Sequence, residues 1–84
     1  MTMNSKAAAP VQITQLEAQT TVLPALRRQL GLTQVQLARW FGVTEGTIIR
    51  WEGGQMQAPA LHMRIADLIR RADDPRALMD LLAP

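Results

Sequence analysis

Glycine and proline cut most of this chain into short pieces. Gly31, Gly42, the Gly53–Gly54 pair, Pro59 and Pro75 separate stretches that hold only a few helical turns each. Within those stretches the apolar residues recur with a helical period, and from Thr21 onward no strand pattern emerges. Thr21 can cap a first helix with Pro24 in its first turn, and Leu23, Leu26 and Leu30 form its apolar stripe before Gly31 stops it. Thr33 caps a second helix to about Phe41, stopped by Gly42. Thr44 caps a third, over 44–53. Pro59 opens a fourth, with Leu61, Ile65, Leu68 and Ile69 assigned to one face. Asp74 and Pro75 make an N-cap and first-turn pair for a fifth over 74–82, carrying Leu78, Leu81 and Leu82. The pattern predicts an all-α, compact five-helix bundle over 21–84, preceded by a flexible tail over 1–20 whose small and polar residues bury little.

Composition narrows the function. With 84 residues the chain supports one modest core, and with no cysteine it has neither a disulfide framework nor a thiolate metal site. Only 4% of residues are aromatic, so the core must be largely aliphatic. No apolar run approaches the roughly 20 residues that span a bilayer, and the N-terminus lacks the pattern of a secretory signal. A cytoplasmic protein without membrane contact is the expectation. The formal net charge is +2, which by itself argues little; eight of the nine cations are Arg, the side chain suited to planar bidentate contacts with phosphate and guanine. The sequence carries no Ser–His–carboxylate set, no glycine-rich phosphate loop and no metal-ligand spacing. Neither an enzyme nor a cofactor or metal is expected.

The informative stretch is Gln34 to Trp51, QVQLARWFGVTEGTIIRW. Leu37 and Phe41 point from the second helix into the core. Ala38 is small where the next helix crosses. Gly42 permits the left-handed conformation that an abrupt turn needs. Val43 plugs the turn from inside, and Ile48 and Trp51 form the buried face of the third helix. All seven satisfy, in register, the spacing of a helix-turn-helix, whose second helix lies in a DNA major groove.

The segment LRRQLGLTQVQLARWFGVTEGTIIRWEGG resembles the helix-turn-helix of the phage Cro and lambda-repressor class, the Xre-type family. The resemblance covers about Leu26 to Ile69. It implies a five-helix, lambda-repressor-like fold and a sequence-specific repressor that binds double-stranded operator DNA as a homodimer, with recognition helices about 34 Å apart. It further implies that Gln34, Thr44, Thr47 and Arg27 face phosphate, and that Glu45, Gly46, Ile49 and Arg50 face bases. Arg50 suits guanine O6 and N7, Glu45 suits cytosine N4, and Ile49 suits a thymine methyl. Arg27 and Glu52 match a family ion pair linking helix one to the end of helix three. Three positions depart from the pattern: Gly46 replaces a base-reading side chain, Glu45 brings a negative charge toward phosphate, and Gln55 to Ala60 holds no cation.

Other features allow more than one reading. The ending RIADLIRRADDPRALMDLL is similar to that of HigA-like antitoxins, which implies an alternative: an antitoxin that represses its own operon and binds a toxin protein. Trp40, turned outward by the motif, fits either a partner anchor or a side chain lying across a helix edge. His62, in a first turn, fits a solvated surface position. Met56, Met63 and Met79 fit the core. Arg64, Arg70 and Arg71 fit a solvated face with Asp67 as partner, and Leu78, Leu81 and Leu82 fit a two-fold interface.

Overall fold

The computed structural model describes residues 2–83, with side chains for 16–83. Five helices follow in order: α1 (Thr2–Leu30), α2 (Gln34–Phe41), α3 (Glu45–Glu52), α4 (Ala60–Arg71) and α5 (Pro75–Leu82). No strand occurs among the described residues, and no described helix is long and apolar enough to cross a membrane. α1 packs on both α3 and α4, α2 packs on α3, and α4 packs on α5. The core is built from Val22, Leu23, Leu26 and Leu30 of α1, Leu37 and Ala38 of α2, Ile48 and Trp51 of α3, Met63, Ala66 and Ile69 of α4, and Met79 of α5, with Ala58 from the α3–α4 loop.

Local chemistry explains the boundaries. Thr33 and Gln36 form a reciprocal capping box that starts α2: the Gln36 amide donates to Thr33 Oγ1 at 3.0 Å and the Thr33 amide to Gln36 Oε1 at 2.8 Å. Thr44 Oγ1 accepts from the Thr47 amide to start α3, and Asp74 accepts from the Ala77 amide to start α5 with Pro75 in its first turn. Gly42 ends α2 at φ 75°, and the Val43 amide folds back to the Ala38 carbonyl at 2.9 Å. The left-handed residue lets the chain reverse within Gly42, Val43 and Thr44.

The structure departs from the sequence reading in several places. α1 starts well before Thr21, and Pro24 lies inside it rather than in a first turn. A proline normally disfavours a helix interior. Here Val22, Leu23 and Leu26 are buried around it, so packing overrides the local preference. Within the stretch read as a tail, Gln19 is fully buried. Leu16 and Glu17 of that stretch are exposed, and the side chains of residues 1–15 lie outside the described residues.

On α4 the buried face is Met63, Ala66 and Ile69; of the expected face Ile69 is buried and Ile65 packs half-buried against the core, while Leu61 and Leu68 are 64% and 58% exposed. The apolar residues of α4 form two overlapping stripes that share Ile69. Sequence period alone does not say which one meets α1 and α5. Met56 is likewise exposed rather than in the core. His62 is half-buried, its ring 5.0 Å from that of Phe41 and 5.5 Å from that of Trp51, and its Nδ1 is buried without a partner among the described residues. Trp40 is half-buried and its indole N–H donates to the Met79 carbonyl at 3.1 Å, so it fastens α2 to α5. That hydrogen bond removes Trp40 as a free anchor for a partner.

Because a Cβ at Gly42 would meet nothing within 4 Å, the cost of replacing this glycine comes from backbone conformation alone. Gly42→Ala should lower the unfolding free energy by about 1–2 kcal/mol, and Gly42→Asn by clearly less. Urea denaturation of both variants checks this; equal losses would show that φ is not the constraint.

Candidate nucleic-acid interface

The outer face of α3 is set by what its inner face buries. Ile48 is 0% and Trp51 3% exposed, and these two side chains orient the short helix against α1 and α2. The intervening positions turn outward: Glu45, Ile49 and Arg50 are exposed, and Gly46 and Thr47 are half-exposed. Leu37 and Ala38 are buried beneath α3, while Phe41 and Val43 pack at the core's margin. Phe41 meets Trp51 edge-on at 6.2 Å and Trp40 at 5.3 Å, so the aromatic rings lock the α2 end to α3.

Gly46 is not an empty position on this face. A Cβ there would lie 3.6 Å from Nη1 and 3.8 Å from Nη2 of Arg50, so the Arg50 guanidinium lies over the glycine, one turn back along α3. Thr44 and Thr47 sit side by side at the start of α3, with their hydroxyls 2.9 Å apart. Together with the backbone amides of a helix N-terminus, these hydroxyls form a polar corner suited to an anion.

A joint of three side chains fixes the far end of α3. Arg27 of α1 donates from Nε to Glu52 Oε2 at 2.6 Å and from Nη2 to Glu52 Oε1 at 2.9 Å, a bidentate pair. Gln34, the first residue of α2, donates from Nε2 to Glu52 Oε1 at 3.1 Å. Arg27 Nη1 also donates to the Leu32 carbonyl at 3.4 Å. The hydrogen bonds that Arg27 donates to Glu52 raise its pKa above the ordinary value; burial partly opposes this, and the charge of Glu52 adds to it. Arg27 therefore stays charged throughout any working pH range. Of its five N–H groups three are used, and the Gln34 amide keeps one N–H free. Both residues thus retain N–H groups that this joint does not use.

The structure thus brings Arg27, Gln34 and Glu52 into one cluster, and Thr44 and Thr47 into another, with the Glu45, Ile49 and Arg50 face between them. Sequence reasoning missed Gln19, whose amide bonds the backbone just after α3. The signal was present, since 19, 23, 26 and 30 continue a single helical stripe backward from the three leucines. No group of three or more potential metal ligands occurs among the described residues. In comparisons with known proteins the chain matches no family profile, and no curated protein or solved structure is significantly similar to it.

Glu52→Ala should cost about 2 kcal/mol of stability. That is less than the ~3–5 kcal/mol of a fully buried broken pair, because the Arg27 side chain keeps 22% exposure and water can solvate it. Chemical denaturation checks this value, and a loss below about 0.5 kcal/mol would mean that the joint is no stronger than a surface ion pair.

Proposed function

We propose that this protein is a sequence-specific DNA-binding regulator of transcription, a repressor of the helix-turn-helix type, reading the major groove with α3 as a homodimer. The observation that carries the reading is the outward face of α3: Glu45, Ile49 and Arg50 stay exposed on a helix of eight residues, while its other side is buried. An α-helix fits the major groove, and a buried inner face holds the outer one at a fixed angle. In this reading Arg50 is set for a guanine, Glu45 for a cytosine amino group and Ile49 for a thymine methyl. Gln34, Thr44, Thr47 and Arg27 take phosphates on either side.

A helix this short covers only a few base pairs, so specificity calls for a second copy. Of the α5 leucines assigned to a two-fold interface, Leu78 packs against the core, while Leu81 and Leu82 are 80% and 47% exposed; with exposed Leu61 and Leu68 on α4 they support protein–protein contact. The same leucines favour a second reading, an antitoxin that also binds a toxin protein. Co-purification with a toxin from the native host would decide for it.

Selection of bound duplexes from a random pool, followed by sequencing, tests the proposal; it should return a near-palindromic site. Arg50→Ala should flatten the preference at one base pair per half-site, a loss of about 1–3 kcal/mol of discrimination. Gln34→Ala should weaken all duplexes alike. Affinity should also fall steeply with added salt. Selection that enriches no sequence would overturn the proposal.

A further inference from the structure

We infer that Gln19 is a positioning residue for the groove-reading helix: it holds the backbone that leaves α3 and so sets the angle at which the Glu45–Arg50 face meets DNA. The inference rests on the DNA-binding reading above and names what keeps that surface in register.

Gln19 is 0% exposed, and its amide makes three hydrogen bonds to backbone. Nε2 donates to the Trp51 carbonyl at 2.9 Å and to the Met56 carbonyl at 2.6 Å, and Oε1 accepts from the Ala58 amide at 2.8 Å. Two donors meet two carbonyls and the one acceptor meets an N–H, so only one orientation of the amide fits. These contacts bracket the loop between α3 and α4 from both ends. Inside the bracket the Gln55 and Met56 amides both turn back to the Arg50 carbonyl, at 2.9 and 3.3 Å. Gly54 takes φ 76° against α1, where a Cβ would come within 3.4 Å of Thr20 Cγ2.

Arg27 and Gln19 are thus two anchors for the same end of α3, about 12 Å apart along α1. Ile48 and Trp51 seat the inner face of α3, the Arg27–Glu52 pair holds one point at its end, and the Gln19 bracket adds a second hold on the backbone that leaves it. The loop carries no Lys or Arg between Gln55 and Ala60. No charged contact from that loop to phosphate is available to reset the helix when DNA arrives, so its pose must be built into the free protein. An amide serves this purpose where an apolar residue would not, because the buried Ala58 amide and the Met56 carbonyl would lose this partner and the Trp51 carbonyl would keep only the Gly54 amide.

The test uses the full chain with Gln19→Leu and Gln19→Glu, and Gln29→Ala as a control elsewhere on α1. Gln19→Glu keeps an acceptor for the Ala58 amide and loses both donors, which provides a second variant if the leucine form does not fold. The probe is the duplex selected by the natural chain. Amide hydrogen exchange at Gly53, Gly54 and Ala58 should quicken about tenfold or more in the Gln19 variants, with the amides of α1 and α4 still protected. Affinity should fall about tenfold or more, and base preference at the Arg50 position should flatten. Trimethylamine N-oxide, added until the folded fraction equals that of the natural chain, should leave both losses in place. A merely structural role predicts instead that affinity and preference return once the chain is folded. That return would overturn the inference, as would unchanged exchange at Ala58, or a loosened loop with unaltered affinity and preference. If the natural chain selects no duplex, the DNA reading itself fails, a result distinct from any change in Ala58 exchange.

Discussion

The rest of the structure depends on the joint between Arg27, Gln34 and Glu52. One carboxylate, only 8% exposed, receives N–H groups from the ends of two other helices. An isolated helix of eight residues does not hold its shape in water. α2 and α3 keep theirs because Leu37, Ile48 and Trp51 bury one side, and because this joint ties the start of α2 and the end of α3 to α1. A carboxylate placed at the C-terminus of α3 opposes the helix dipole, and the bidentate guanidinium offsets that penalty. Arg27 and Gln34 consequently serve two roles at once, holding α3 and presenting their remaining N–H groups outward.

Much of this was legible in the sequence, and the rest was hidden for definable reasons. Thr33, Gly42, Thr44, Asp74 and Pro75 act through their own backbone neighbours, so the starts of α2, α3 and α5 follow from residue type alone. The inner face of α3 was legible because Ile48 and Trp51 are its only large apolar residues spaced to share a side. The face of α4 was legible only in part: Ile65 and Ile69 do meet the core, but Leu61 and Leu68 extend as regular a stripe from them as Met63 and Ala66 do. Only the placement of α1 and α5 chooses between them. The stripe through Leu23, Leu26 and Leu30 placed Gln19 on the buried side, but its role was hidden because its partners lie more than thirty residues away. His62 was hidden because its environment comes from other helices, through Phe41 and Trp51. The role of Gly46 reads differently once Arg50 is seen lying over it, since a missing side chain becomes the seat of another.

On the proposed reading the molecule divides its surface between two tasks. The polar side, from Gln34 through Thr44 to Arg50, meets nucleic acid. Leu61 and Leu68 on α4, with Leu81 and Leu82 on α5, supply apolar surface for a second protein chain. Between the two lie the aromatic rings of Trp40, Phe41, Trp51 and His62, which pack α2 and α3 against the later helices. Trp40 donates across this layer to Met79, so a chain bound on α5 would be mechanically connected to α2.

The most direct measurement of the central claim is a nitrogen–proton correlation spectrum of the labelled chain titrated with a short duplex at low salt. The account predicts that amide signals of Gln34 and of Thr44 through Arg50 move together, while those of Leu61, Leu68 and Leu81 stay in place at a fixed oligomeric state. Signals that move on the α4 and α5 leucine surface and stay fixed along α3, or that do not move at all, would contradict it.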